Sequence, residues 1–171
     1  FEKLGSGCIA NSYLVKYNDK QLVAKIKRKN IKRKIVDSVS RIHNLIRFMN
    51  TFHIMPFAEE MTKKLEGIFN ILIRQADFTN EINELNYFYE KYKYSDKIIV
   101  PKPYFDYSNE NVIVMDYLEG KDIRLLTNDE KDKTALDLWN FAFESTFIDG
   151  HWHSDLHKGN LVFSNDKLGI I

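Results

Sequence analysis

His151-Trp-His-Ser-Asp155-Leu-His157-Lys-Gly-Asn160, followed by Leu161-Val-Phe163, is the stretch on which the reading of this chain turns. It has the make-up of a functional loop that runs directly into a strand. Asp155 is a carboxylate able to accept a hydroxyl proton, and Asn160 has an amide oxygen suited to a hard cation such as Mg²⁺. Two other readings compete. Asp, His, Gly and Asn cluster in ordinary turns, where they cap and tolerate left-handed backbone. Alternatively, His151, His153, Asp155 and His157 alternate as they would along one strand face, a donor set that suits zinc or iron. Against the metal strand stands Gly159-Asn160, which breaks a strand at once.

Working outward, the upstream residues supply partners for this loop. Phe1 to Lys16 reads as strand, glycine turn, strand, with Gly5-Ser6-Gly7-Cys8-Ile9-Ala10 at the turn. Asn18-Asp19 is a second turn, and Gln21 to Ile26 a further strand holding Lys25, so an antiparallel meander is expected. A lone Gly-x-Gly is also what a plain hairpin turn shows. A dinucleotide loop runs strand to helix, and a Walker loop ends in Gly-Lys-Ser/Thr; neither fits here. Ala10 occupies a third glycine position, where a methyl restricts positive φ, so a tighter loop is expected. Lys25 to Lys34 holds seven Lys or Arg in ten residues and reads as a solvated face.

Residues 31–50 and 54–74 have helical periodicity, with Pro56 suited to a first turn. Gln75 to Tyr89 reads as one helix with Asp77 near its start and Glu81 available to Lys25. Ile98–Tyr107 and Val112–Tyr117 read as two strands joined around Ser108 to Asn111. Val112 to Gly120 then leaves the sheet as a linker through Asp116 and Leu118. Thr127 or Asn128 caps a helix from about Asp129 to Ile148, ended by Asp149-Gly150. Leu161–Phe163 and Leu168–Ile171 form a last hairpin.

At 171 residues, 44% hydrophobic and 29% charged, the chain can bury a core in one modest domain or two small lobes. A net charge of +1 gives no pull toward nucleic acid. The single cysteine excludes an internal disulfide framework and fits a reducing compartment. No apolar run approaches the ~18 residues of a membrane span, so any membrane contact is expected to be peripheral.

Taken together, these residues resemble the UbiB family of atypical kinases, the "activity of bc-one complex" group. The markers are Leu4-Gly-Ser-Gly-Cys-Ile-Ala10, Val23-Ala-Lys25, Asp77-Phe-x-x-Glu81, Val114-Met-Asp-Tyr-Leu-Glu-Gly120 and His153-Ser-Asp-Leu-His-Lys-Gly-Asn160. The 56 positions between Lys25 and Glu81 exceed those of an ordinary protein kinase, and this family places extra helices there. The resemblance implies an α+β, bilobal protein-kinase-like fold. Residues 1–118 would form an N-lobe with an antiparallel sheet and a helical insertion at about 31–74. Residues 119–171 would begin a helical C-lobe, incomplete here.

ATP and Mg²⁺ are the implied cofactors. Gly5, Ser6, Gly7 and Ala10 would cover the phosphates, and Asp116 and Leu118 would face the adenine from the linker. Lys25 would hold the α/β-phosphates and Glu81 would orient it, with Asp155 the catalytic base and Asn160 a metal ligand. Family members act in ubiquinone and isoprenoid-lipid metabolism, so an intracellular, mitochondrial or plastid setting is implied, with a lipid, small-molecule or protein acceptor. A small-molecule kinase of the aminoglycoside or choline type shares the loop pattern, and a non-catalytic nucleotide-binding module is the third alternative.

The sequence departs from the family at Gln75, where the family has Glu, and at Leu156 and Lys158, where it has prolines. The family's Lys-x-Gly-Gln and Asp-Phe-Gly segments are not in this chain. An Asp-Phe-Gly continuation beyond Ile171 is therefore expected, with the 171-residue piece itself inactive and prone to aggregate.

Overall fold

A computed structural model describes residues 1–52, 57–75, 77–151, 153 and 155–171. Two four-stranded sheets are joined by one helix. The first sheet takes β1 (Glu2–Ser6), β2 (Ala10–Tyr17), β3 (Lys20–Lys27) and β5 (Val112–Asp116), in that order and antiparallel throughout. Asn18 and Asp19 both adopt left-handed backbone, φ 46° and 63°, which matches a two-residue turn to the twist of β2 and β3. Leu22, Val23 and Ala24 in β3 are all buried, as suits an inner strand covered on both faces.

From β3 the chain enters a helical hairpin, α1 (Ile31–Thr51) and α2 (Ala58–Gln75). His43 meets Phe69 edge-on at 6.1 Å, and Ile46 and Phe69 are its buried residues among those described. The expected insertion is thus a pair of helices. Ile54 and Pro56 lie outside the described residues. The helix expected from Gln75 is interrupted: Gln75 closes α2, and α3 spans Phe78–Tyr92. Asp77 is its N-cap, accepting from the Thr79 N–H at 3.1 Å, a bond that holds the Asp77 carboxyl below its ordinary pKa.

α3 is the spine of the molecule. Phe78 and Ile82 pack with Ala10 and Ile113 of the first sheet. Phe88 and Tyr92 pack with Phe141, Leu161, Leu168 and Ile170 at the second. Leu85 touches both clusters. The 78, 82, 85, 88, 92 spacing is one stripe of an amphipathic helix, here long enough to serve two cores.

The second sheet has the order β4 (Ile98–Ile99), β8 (Lys167–Ile170), β7 (Leu161–Ser164), β6 (Lys121–Asp122), with β4 parallel to β8 and the rest antiparallel. The expected strand over 98–107 is corrected: only Ile98–Ile99 is strand, and it pairs with β8 instead of β5. Pro101 and Pro103 explain this, because proline has no N–H for a ladder. A single bridge from Pro103 to Met115 remains, and Phe105–Tyr107 coils into a 3₁₀ turn. Asn165 and Asp166 turn the β7–β8 hairpin with φ 50° and 60°. Gly120 is required where the linker crosses β7, since a Cβ there would lie 2.3 Å from the Phe163 carbonyl oxygen.

α4 (Asn128–Phe143) begins with a capping box: Glu130 N–H donates to Thr127 Oγ1 at 3.3 Å, and Thr127 N–H to Glu130 Oε2 at 2.8 Å. With the Thr127 N–H and the Lys121 ammonium on it, the Glu130 carboxyl is pulled down to about 2. The helix widens into a π turn over Glu144–Ile148. Lys91 of α3 braces that turn by pairing with Glu144 at 3.1 Å and with Asp149. Burial depresses the Lys91 ammonium, but these two carboxylates outweigh it and hold its pKa above the ordinary value. No helix among the described residues is long and apolar enough to cross a membrane.

Candidate functional site

The site collects around α3. Lys25, projecting from β3 toward that helix, forms an ion pair with Glu81 across 56 positions of sequence. Both side chains are about one-third exposed, at 33% and 38%, so the pair faces solvent on one side. Beneath it lies Phe78, only 1% exposed, with Lys25 Nζ 5.6 Å and Lys27 Nζ 4.8 Å from its ring centre. An aromatic face attracts cations, so the ring supports two ammonium groups that would otherwise repel each other. Burial, then Lys32, lowers the Lys27 pKa.

On the same helix, one turn and more further on, α3 meets the loop. His151 stacks on Tyr87, with ring centres 4.1 Å apart, and reaches Glu84 at 3.4 Å. His153 lies 6.1 Å from the Phe88 ring, and its Nδ1 accepts from the Asp155 N–H at 3.3 Å. Burial lowers the His153 pKa below 6.5, with Ile171, Asp155 and Glu81 pulling the other way.

A depressed histidine pKa has a direct consequence for stability. The folded state resists protonation that the unfolded chain accepts near pH 6.5, so stability is level above that pH and falls below it. Urea denaturation from about pH 7.5 to about pH 5 should show this loss, and His153→Asn should flatten it. An unchanged slope in the variant would refute the assignment.

Asp155 is exposed, and its neighbours define it. Asn160 Nδ2 donates to the Asp155 carbonyl oxygen at 2.9 Å and to Oδ2 at 3.1 Å. Ile171 N–H donates to the Asn160 carbonyl at 2.9 Å, tying the end of β8 to the loop. His157 Nε2 stands 3.6 Å from Asp155 Oδ2, its ring held by the Gly159 N–H on Nδ1 at 2.9 Å. The carboxylate and amide oxygens of Asp155 and Asn160 make a hard donor set, which fits Mg²⁺ better than zinc or iron. The histidine strand is not formed: His151 and His153 go to different partners. Among the described residues no three His, Cys, Asp or Glu side chains gather as a metal site.

The glycine loop departs from expectation. Ala10 is not a loop residue; it opens β2, pairs with Lys27 and buries its methyl against the Phe78 cluster. No residue from Gly5 to Ala10 has left-handed backbone. Gly7 N–H donates to the Ala10 carbonyl at 2.8 Å, which closes the turn, and Ser6 Oγ donates to Asn11 Oδ1 at 2.9 Å. In the linker, Tyr104 donates to Asp116 Oδ1 at 2.8 Å, and that bond pushes the phenol up to about 12. The Asp116 carboxylate thus accepts from Tyr104 through one of its two oxygens. Leu118 lies against Gly169.

Sequence patterns did not single out Phe78 as a cation platform, nor Tyr104 or Arg28. Phe78 stood inside a quoted motif but reads locally as a core residue. Arg28 was hidden in a basic run that reads as solvated surface. Gln75 ends α2, and its side chain is outside what is described.

Comparison with known proteins places this geometry. The model of the ABC1 atypical kinase-like domain matches residues 2–171. A probable protein kinase UbiB of Blochmanniella pennsylvanica is 27% identical over 168 residues, covering 93% of this chain and 30% of that protein. The probable serine/threonine-protein kinase abkC of Dictyostelium discoideum is 27% identical over 165 residues, covering 94% of this chain and 24% of that one. The chain thus spans less than a third of either relative. The Rv3197–erythromycin complex from Mycobacterium tuberculosis superposes with a TM-score of 0.77 over 99% of this chain and 44% of that one, at 19% identity. The fold is kinase-like, and with a family match from residue 2 to residue 171 this chain belongs to the ABC1 atypical kinase-like family.

Proposed function

We propose that the protein of which this chain is part is an ATP- and Mg²⁺-dependent phosphotransferase or ATPase of the UbiB type. The observation behind this is the convergence on α3 of the Lys25–Glu81 pair and of the loop that carries Asp155 and Asn160, which reaches the helix through His151 on Tyr87 and His153 beside Phe88. Two relatives named as probable protein kinases support the class. A link to ubiquinone or other isoprenoid-lipid metabolism belongs to the same proposal.

In this reading Lys25, oriented by Glu81 and supported by Phe78, holds phosphate oxygens of the nucleotide. Gly5, Ser6 and Gly7 cover them from above. The linker from Asp116 to Leu118 offers backbone to the adenine, and the division between the two lobes falls there. Asn160 provides an amide oxygen donor for Mg²⁺, which would neutralise phosphate charge when bound. Asp155 orients an acceptor hydroxyl and takes its proton as the phosphoryl group transfers. The bond from Asn160 fixes the carboxylate for that task.

Binding of a fluorescent ATP analogue and release of phosphate test this. Lys25→Ala and Glu81→Ala should each lower turnover roughly 100-fold, with the double variant little worse than either, because the two act as a unit. Additive losses in the double-mutant cycle would show that the pair does not cooperate.

A further inference from the structure

Arg28 follows β3 and begins the turn into α1. Its backbone is held at both ends: its N–H donates to the Ile9 carbonyl at 2.8 Å, and its own carbonyl accepts from Ile31 N–H at 3.2 Å. From that fixed base the guanidinium reaches the glycine turn. Nε donates to the Gly7 carbonyl at 3.0 Å, and a terminal nitrogen donates to Ser6 Oγ at 2.7 Å. Ser6 Oγ in turn donates its own hydrogen bond to Asn11 Oδ1. A planar fork thus grips Ser6, the last residue of β1, and Gly7, the first of the turn, a task a lysine ammonium cannot repeat with the same geometry.

The glycines beneath that grip have no steric reason to be glycine in this arrangement. A Cβ on Gly5 would meet nothing within 4 Å, and one on Gly7 would meet only the Ala10 carbonyl oxygen at 3.5 Å. Neither has positive φ. Gly5 lies in β1 and pairs with Ser12, so the entropic looseness of glycine falls on Gly7, where the chain leaves the ladder; glycine there also leaves room for close approach of a ligand to the backbone. The Gly7 N–H bond to the Ala10 carbonyl closes the turn, and Arg28 ties its start to the base of α1; a turn held in this way spares the affinity that ordering on binding would cost.

We infer that Arg28 is a positioning residue for the nucleotide phosphates, holding the Ser6–Gly7 turn preorganised above Lys25. This rests on the proposed nucleotide site. Arg28 acts through the turn; its guanidinium is engaged with Ser6 and Gly7.

Cys8, exposed at the turn and the chain's one cysteine, allows a direct test. In the full-length protein, with any further cysteine replaced by serine, a nitroxide on Cys8 should be motionally restricted when Arg28 is present and mobile in Arg28→Ala. The Kd for a fluorescent Mg–ATP analogue should rise roughly tenfold in Arg28→Ala, nearly as much in Arg28→Lys, and about threefold in Ser6→Ala, which leaves β3 and the charge untouched. Glu81→Gln should weaken binding while leaving the label restricted, separating loss of the turn from loss of the lysine. Thermal unfolding of each variant should match that of the parent. An immobile label in Arg28→Ala, or a mobile label with unchanged Kd, would overturn the inference while the nucleotide site stood. Failure of the unsubstituted protein to bind the analogue at all would overturn both.

Discussion

Phe78→Ala should destabilise the fold by about 3–5 kcal/mol, the range for deleting a fully buried phenyl ring. Phe78 is 1% exposed and packs with Ala10, Ile82 and Ile113, so the cavity would open where α3 meets the first sheet. Domains of this size are stable by only about 5–15 kcal/mol, which makes the loss a large share of the whole. The same ring lies under Lys25 and Lys27. Phe78→Leu separates its two roles: it keeps much of the volume, and should cost under about 1.5 kcal/mol, but it removes the aromatic face. In the leucine variant the fold should survive while nucleotide binding weakens. Urea denaturation read by circular dichroism checks the first part, and titration with the fluorescent analogue the second. A loss under about 1 kcal/mol for Phe78→Ala would contradict its place in the core.

Asp155→Asn should lower turnover by about 10²–10⁴-fold with nucleotide affinity nearly unchanged, because a general base acts on the transfer step alone. The substitution is isosteric, and the Asn160 bond to the residue 155 carbonyl oxygen at 2.9 Å does not depend on the side chain. The loop should therefore keep its shape. Asn160→Ala should behave differently, raising the Mg²⁺ concentration needed for half-maximal turnover, since it removes an oxygen donor. Phosphate release measured against Mg²⁺ concentration distinguishes the two variants. If Asp155→Asn retained turnover within about tenfold, the carboxylate would not be the base. His157, 3.6 Å from the same carboxylate, would then be the neighbouring group to examine.

Several elements could be read directly from local chemistry. Asn18-Asp19 and the Asn165-Asp166 pair mark two-residue hairpins because these side chains tolerate left-handed backbone. Asp77 and Thr127 begin helices because their oxygens satisfy N–H groups that no preceding turn can reach. The Asp155-to-Asn160 spacing brings carboxylate and amide together because a short loop with one 3₁₀ turn closes the distance. The 56-residue separation of Lys25 and Glu81 pointed to an insertion, and α1 and α2 occupy it.

Other features depend on contacts that no window of sequence contains. Residues 98–107 have the composition of one strand, yet Pro101 and Pro103 withhold N–H groups and the second sheet recruits Ile98–Ile99 to β8 instead. Ala10 was placed by its spacing from Gly5 and Gly7, but pairing with Lys27 and burial against Phe78 draw it into β2. Arg28 sits in a run of like charges whose members look equivalent. Only the path of the chain brings its guanidinium to Ser6 and Gly7, 22 and 21 positions away. Local propensity and capping chemistry act over a few residues, and the sequence by itself therefore determined the turns, the helix starts and the loop at 155–160. Partner choice between strands, and the surroundings of each charge, depend on packing between distant segments, and these the tertiary structure alone decided.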